Sequence, residues 1–372
     1  MTSTVVQHSA EFTTGRSAEV AQKLMQMRAW LSTQGAAAIR LRGSDWFAWA
    51  TAGGSNSVLL TTETGVAEIL VTAQAAWILT DEIERQRLQD EEVGPDWQLH
   101  ACPWHQPDVR EQFVQQLSDG GTVLSDRPAP HEAALPALAH TQRMVLQVSE
   151  QERYRGLGTA TATAMTEAMQ QARPDWSECQ LAAAGAAALW RRGVQPALVL
   201  VAGADRLPRY RHPVPTVTKL GRQAMMVFCG RRHGLYANLT RSITFDTAPQ
   251  QQQQLLALEA VALAVCRPGQ PLAAVYHALA AAYRAAHFSQ AIEQHHQGGI
   301  TGYRAREVLA HPDATVSLQS GMALALNPSL PGIKVEDTFL LSEHGLANLT
   351  FDADWPSTEV QGRRRPLWLC AA

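Results

Sequence analysis

The sequence has 372 residues, 46% of them hydrophobic and 17% charged, and its formal net charge is -3 at pH 7. This length and composition predict a globular protein of two domains, because single hydrophobic cores stop growing near ~250–300 residues. The charge excludes a broad basic surface for nucleic acid, and no apolar run approaches the ~20 residues that cross a membrane. We therefore expect a cytoplasmic enzyme or binding protein with no nucleic-acid or membrane partner.

The first 145 residues predict an α/β domain. Its predicted elements are a helix ending near Gln34, a strand over 36–42, a hairpin formed by the runs 57–61 and 66–71, and a helix over 73–88. The first helix rests on apolar residues at helical spacing, and the hairpin on two short β-branched runs around a Glu-Thr-Gly turn. A proline-rich stretch, 127–136, precedes the domain boundary.

The second domain is predicted to span residues 146–372. Ser149 and Glu152 have the spacing of a capping box, which marks the start of a long alanine-rich helix. The predicted elements are helices over 150–171, 177–192, 250–266 and 272–286, with strands over 197–202, 224–229 and 242–245. Five consecutive glutamines, 250–254, are predicted to form the polar first turn of their helix.

The five cysteines are odd in number, lie far apart in the sequence and form no CxxC pair. This pattern predicts neither a disulfide framework nor a zinc site built from thiolates. We therefore expect reduced, structural cysteines at Cys102, Cys179, Cys229, Cys266 and Cys370.

Four segments of the second domain concentrate polar residues beside glycine or proline. They are RYRHP at 209–213, GLYANLTR at 234–241, HHQGG at 295–299 continuing to Arg306 and Glu307, and KVEDT at 334–338. In this order they resemble the creatinase, prolidase and aminopeptidase P superfamily over about residues 151–350. The resemblance implies a pita-bread catalytic domain of the α/β (α+β) class, preceded by a creatinase-like N-terminal domain.

The resemblance also locates the positions of the superfamily's five metal ligands, and four of them have been replaced. In an ungapped register these positions are Val227, Asn238, Gly299, Asn327 and Glu336. Two divalent ions need several anionic oxygens and an imidazole, so we expect no metal and no other cofactor. The alternative is a divalent metal such as Mn, Zn or Co in a shifted register, using Asp205, Asp246, Asp337, His295 or His296.

The substrate-facing positions are better retained. His212 aligns with the residue that acts as general base in creatinase, the metal-free member of the superfamily, and His295 aligns with a second substrate histidine. An imidazole titrates near neutral pH, so His212 is the predicted catalytic base and acid, with Glu336 as its catalytic partner. The predicted substrate-binding residues are His295, Arg306, Glu307, Asn238, Asn327 and Tyr303.

Several of these residues also have structural interpretations. Arg306 and Glu307 could form an ion pair with each other, His296 could face solvent, and Tyr303 could belong to the core. The aromatic residues at 46, 47 and 49 could also be core residues. The resemblance instead implies a homodimer in which this aromatic strip approaches the partner's active site.

Three hypotheses follow for the function. The first is a metal-independent, creatinase-like hydrolase that cleaves a C–N bond in a small polar amide, amidine or amino-acid derivative. The second is a metallopeptidase of the prolidase or Xaa-Pro aminopeptidase type, which needs the replaced ligands. The third is a non-catalytic protein that binds a peptide or metabolite.

Overall fold

The computed structural model describes residues 3–371, and side chains from residue 16 onward. The chain divides into two compact units, Met1–Arg143 and Met144–Ala372. Across the described residues, we find no helix with the length and apolar character needed to cross a membrane.

The first unit is built on one six-stranded sheet. Its order is β4-β3-β2-β1-β5-β6, with β1 Ala38–Gly43, β2 Thr64–Thr72, β3 Ala76–Asp81, β4 Gln98–Cys102, β5 Val123–Ser125 and β6 Glu132–Ala134. Its helices are α1 Ser3–Gln34, α2 Ser44–Ala50, α3 Arg85–Arg87, α4 Asp108–Ser118 and α5 Ala137–Met144, with a π-helical turn at Leu88–Glu92. The predicted helix ending at Gln34 and the strand after it are confirmed.

Two predictions in the first unit are wrong. Residues 57–61 form no strand, and β2 instead pairs with β3, which occupies part of the predicted helix 73–88. The β3 segment is a short apolar run in the middle of the sheet, with Ile78 and Leu79 fully buried. A short run that is buried on both sides lacks a period that distinguishes strand from helix, which explains the error.

The aromatic strip lies on α2 and belongs to the core of its own unit. Trp46 and Phe47 are fully buried and Trp49 is 2% exposed. Trp49 stacks on Trp30, and the Arg143 guanidinium lies 4.3 Å from the Trp46 ring centroid. These side chains are enclosed within their own unit and belong to its core, as their structural interpretation proposed.

The first half of the second unit places helices against a four-stranded sheet. The helices are α6 Val148–Gln170, α7 Glu178–Trp190, α8 Gln251–Val265 and α9 Leu272–Ala285. The strands of the sheet are β7 Gln195–Gly203, β8 Gln223–Arg232, β9 Leu235–Thr244 and the C-terminal β19 Leu369–Cys370. Their order in the sheet is β19-β9-β8-β7. These helices confirm the four predicted ones. The prediction of a strand at 242–245 covered only the end of β9.

The start of α6 corrects the predicted capping box. The Glu150 carboxylate accepts a hydrogen bond from the backbone N–H of Gln147, at 2.7 Å. The helix therefore begins at Val148, and Ser149 lies inside its first turn. In α7 the cap is at Ser177, whose Oγ accepts from the backbone of Gln180.

The second half contributes a five-stranded sheet. Its order is β11-β10-β12-β15-β16, with β10 Gly298–Thr301, β11 Val308–Leu309, β12 Ala323–Leu326, β15 Asp337–Ser342 and β16 Gly345–Asn348. Smaller elements are α10 Ala291–Gln294 and the hairpins β13 Ser329–Leu330 with β14 Ile333–Lys334 and β17 Ser357–Val360 with β18 Arg363–Pro366. An isolated bridge between Thr240 and Glu336 joins the two large sheets.

Candidate functional site

The bridge between the sheets fixes the carboxylate of Glu336. The backbone N–H of Thr240 donates to the carbonyl of Glu336 at 3.1 Å, and the Thr240 hydroxyl donates to Glu336 Oε2 at 2.9 Å. Thr240 lies on β9, and Glu336 directly precedes β15. One anionic group is thus held where the two sheets meet.

Two cations contact this carboxylate. Arg306 Nη2 lies 2.6 Å from Glu336 Oε1, and Lys334 Nζ lies 3.4 Å from Oε2. Burial alone would raise the pKa of Glu336, but Lys334 and Arg306 hold it at about 2. Glu336 is therefore ionised at neutral pH and neutralises one of two adjacent positive charges. Arg306 thus forms an ion pair with Glu336, whereas Glu307 accepts a hydrogen bond from the backbone N–H of Arg304.

Two buried amides lie at positions that the superfamily resemblance aligns with metal ligands. Asn238 is fully buried, and its Nδ2 donates to the Thr301 hydroxyl at 3.1 Å. Asn327 is 2% exposed, and its backbone N–H donates to the carbonyl of Gln297. Within the described part of the chain, neither Oδ1 atom has a protein hydrogen-bond donor. Both buried oxygens therefore keep unused acceptor capacity.

Three histidines form a second group of polar side chains. Nε2 of His212 lies 3.2 Å from Nε2 of His295, and the His295 and His296 rings stack at 4.6 Å. His212 is exposed, His295 is buried and His296 is half-buried, so the expectation that His296 simply faces solvent is wrong. His295 also lines a small cavity together with Lys334.

The surroundings keep these imidazoles neutral at pH 7. Burial, followed by the positive charge of Lys334, lowers the pKa of His212 and brings that of His295 to about 3. Burial and Arg306 lower the pKa of His296 to about 4. A neutral imidazole has one free lone pair, so each can accept a proton or bind an electrophile.

Tyr303, one of the predicted substrate-binding residues, lies elsewhere. It is 1% exposed, and its hydroxyl donates to Glu150 Oε1 at 2.6 Å. The hydroxyl therefore donates its proton to the carboxylate that caps α6 and not to a substrate. Tyr303 belongs to the core, as its structural interpretation proposed.

Sequence reasoning missed two members of the site, Lys334 and Thr301. The sequence indicates Lys334 only as part of a polar segment, although this side chain is 8% exposed in the fold. Its position two residues before Glu336 was the available signal. Thr301 carried no signal, because its contact with Asn238 depends on the pairing of distant strands.

The sequence model of metallopeptidase family M24 matches residues 152–343, just over half of the chain. The chain belongs to metallopeptidase family M24. This result confirms the resemblance inferred from the polar segments. A search of curated proteins by sequence found no match.

Solved structures share the fold at low sequence identity. The prolidase from Pyrococcus horikoshii OT3 has a TM-score of 0.76 at 15% identity, covering 89% of this chain and 98% of its own. The X-Pro aminopeptidase from Thermotoga maritima MSB8 has a TM-score of 0.74 at 16% sequence identity. The match covers 93% of this chain and 99% of the aminopeptidase. The N-terminal domain of FACT complex subunit SPT16 from Cicer arietinum has a TM-score of 0.65 at 12% sequence identity. The match covers 90% of this chain and 97% of the SPT16 domain. These matches confirm the α/β pita-bread fold with its N-terminal domain.

The residues that the resemblance aligns with the M24 metal ligands do not fit a dinuclear metal centre. The one remaining carboxylate, Glu336, is paired with two cations, and the other positions carry amides, a glycine and the buried Val227. The alternative metal site in a shifted register is not supported either. Among the described residues no aspartate belongs to a group spaced for metal binding, and Asp337 pairs with Arg241 and Arg365. We derive no catalytic step through two metals from this residue set.

Proposed function

We propose that this M24 member hydrolyses a C–N bond in a short peptide or a similar amino-acid derivative, with histidines in place of two metals. The observation that carries the proposal is the pair formed by His212 and His295, with Nε2 atoms 3.2 Å apart. The peptide substrate class comes from the prolidase and aminopeptidase folds, which favour the second sequence hypothesis over a creatinase-like substrate. The metal-independent mechanism comes from the first hypothesis.

In the proposed reaction, His212 Nε2–H donates to His295 Nε2, which leaves Nδ1 of His212 free to accept a proton. Water transfers that proton to Nδ1 as its oxygen bonds to the carbonyl carbon. The C–N bond then breaks, and the proton moves from His212 to the departing nitrogen, so that an acid and an amine are formed. This assignment of the imidazole protons is part of the proposal.

The charges around Glu336 support a substrate that has a carboxylate. Arg306 and Lys334 together exceed the single negative charge of Glu336 by one positive charge. An arginine fork binds carboxylates through parallel hydrogen bonds, and the same cations can stabilise an oxyanion in the transition state. The amide oxygens of Asn238 and Asn327 would accept from substrate N–H groups.

Two other functions remain as competing candidates. The two peptidase folds favour a metal-dependent Xaa-Pro peptidase, which requires ligands that this residue set does not supply. The SPT16 domain, named as a subunit of a complex, favours a protein that binds without catalysis. We also propose a homodimer in the cytoplasm, on the basis of the superfamily resemblance. Sedimentation equilibrium tests the dimer.

The deciding experiment is hydrolysis of a dipeptide panel, including Xaa-Pro and other sequences, followed by detection of released amino acids. The protein is dialysed against EDTA and measured with and without added Mn²⁺. We expect turnover to persist after EDTA treatment. Turnover that is abolished by EDTA and restored by Mn²⁺ would establish the metallopeptidase instead, and no turnover with saturable peptide binding would establish the binding protein.

A further inference from the structure

The three histidines of the site form a group with the character of a metal-binding site. One potential ligand nitrogen from each of His212, His295 and His296 lies within 4.8 Å of the other two. In the chain from residue 16 to 371, this is the one group of three histidine, cysteine or acidic residues that meets such a spacing. The superfamily resemblance aligns none of the three with a metal ligand of the M24 dinuclear centre.

The distance between His212 and His295 agrees with tetrahedral coordination. Their Nε2 atoms are 3.2 Å apart. Two imidazole nitrogens bound to one zinc ion at ~2.0–2.1 Å in a tetrahedron lie about 3.3 Å from each other. A metal ion can thus bind between these two atoms with little movement of either ring. The proton now shared between the rings would move to Nδ1 of His212, so both imidazoles would stay neutral.

His296 supplies the third nitrogen from the residue next to His295. Its ring stacks on His295 with an interplanar angle of 22° and lies 5.8 Å from the ring of His212. Among the described side chains, Nδ1 of His295 and Nδ1 of His296 are buried without a hydrogen-bond partner. Rotation of these rings toward a metal ion therefore breaks no hydrogen bond at either Nδ1 atom.

The ligand set indicates the class of metal. Glu336 is engaged by Arg306 and Lys334, so the group offers nitrogen ligands without a free carboxylate. Three imidazoles suit zinc, copper or nickel, whereas magnesium, calcium and manganese prefer oxygen ligands. The exposure of His212 leaves a path from solvent and room for a fourth ligand.

We propose that His212, His295 and His296 bind a single zinc-class divalent ion, at a site distinct from the M24 dinuclear centre. Binding withdraws the lone pair of His212 that the proposed hydrolysis uses, so the ion inhibits turnover. Only this inhibitory consequence rests on the proposed function. The binding itself is independent of it.

Isothermal titration of EDTA-dialysed, full-length protein with ZnCl₂ tests the site directly. We expect one equivalent per chain for the wild type. His296→Gln should weaken binding by more than about tenfold, because even loss of an outer partner of a metal ligand costs that much. His344→Gln, at an exposed histidine elsewhere in the second unit, is the matched control and should bind as the wild type does.

Absence of saturable binding at one equivalent, or unchanged affinity in His296→Gln, would overturn the site. A crystal of the wild type soaked in ZnCl₂ gives a second measurement that does not depend on folding of the variant. Anomalous scattering should locate zinc among the three imidazoles, and zinc located elsewhere would overturn the proposal.

Turnover of a hydrolysed dipeptide separates the two proposals. We expect zinc to reduce wild-type turnover at concentrations that fill the site, with inhibition shifted more than about tenfold in His296→Gln. Zinc that binds and increases turnover would overturn the inhibitory consequence and the metal-free mechanism, while the titration would still support the site.

Discussion

Two buried charge clusters in the second unit are centred on consecutive residues, Glu336 and Asp337. They differ in the polar atoms around them that can still bind a ligand. The Glu336 cluster contains Arg306 and Lys334, and it lies near amide oxygens and imidazole nitrogens that have no hydrogen-bond partner among the described residues. The Asp337 cluster pairs Asp337 with Arg241 and Arg365, and Arg365 also binds both carboxylate oxygens of Glu259.

The difference separates a site from a structural network. Every charged group in the Asp337 cluster is at most 5% exposed and pairs with an opposite charge of the same unit. In the Glu336 cluster the Arg306 side chain is 15% exposed, and the nearby His212 is exposed to solvent. Buried polar groups without partners cost stability, so their concentration around Glu336 indicates a role in ligand binding.

The largest effect that we predict is on catalysis, from His212→Ala. Loss of the proposed base should lower kcat/KM for the hydrolysed dipeptide by about 10²–10⁴-fold. Because His212 is exposed and contacts the buried His295 through one hydrogen bond, the free energy of unfolding should fall by no more than about 1.5 kcal/mol. His344→Ala serves as the control and should retain full activity. Unchanged turnover in His212→Ala would remove the proposed mechanism.

The next effect, on stability, tests the Asp337 cluster. Arg365→Met leaves Asp337 and Glu259 buried with fewer opposite charges, and we expect the second unit to lose about 3–5 kcal/mol of unfolding free energy. Urea denaturation measures it. Arg364→Met, at the exposed neighbouring residue, should stay within ~0.5 kcal/mol of wild type. Equal stability of the two variants would contradict the structural assignment of this cluster.

The same two clusters show which parts of the molecule could be predicted from sequence. The long helices of the second unit were predicted because apolar spacing, caps and breakers are local properties. The replacement of four of the five M24 ligand positions stays a prediction, because it depends on a residue register taken from the superfamily resemblance. The ion pair of Arg306 with Glu336 was not predicted, because Arg306 has an adjacent acidic residue, Glu307, and sequence distance favours the wrong partner.

Other features could not be predicted from the sequence for the same reason, because they depend on tertiary packing. The 73–88 segment has no period that reveals its position inside a sheet. Tyr303 follows a glycine near the site in sequence, yet the fold turns its hydroxyl toward Glu150 on α6. The clustering of His296 with His212 also depends on contacts between segments about 80 residues apart, which no local pattern encodes.

A pH-dependent effect of intermediate size distinguishes Glu336 from an ordinary carboxylate. Its folded pKa of about 2 lies below the ordinary value of 4.5, so its stabilising contribution is present above pH 4.5 and lost as pH falls toward 2. The size of this contribution is about 3 kcal/mol. Glu336→Gln should therefore be less stable than wild type at pH 7, and the difference should narrow below pH 4.5. Urea unfolding at several pH values measures this, and a difference independent of pH would contradict the assigned charge.

The smallest predicted effect compares two matched hydroxyls, one in each cluster. Thr240 donates to Glu336 at 2.9 Å, and Thr350 donates to Asp337 at 2.6 Å. Replacing either by valine removes a hydrogen bond to a charged group, which should cost about 1.5 kcal/mol of unfolding free energy. The Thr350 hydroxyl also accepts from the backbone N–H of Thr338, so Thr350→Val should lose more than Thr240→Val. Only Thr240→Val should also lower kcat/KM, because only the Glu336 carboxylate orients Arg306 toward the proposed substrate. Equal losses of turnover in the two variants, measured well below their unfolding temperatures, would mean that the clusters do not differ in function.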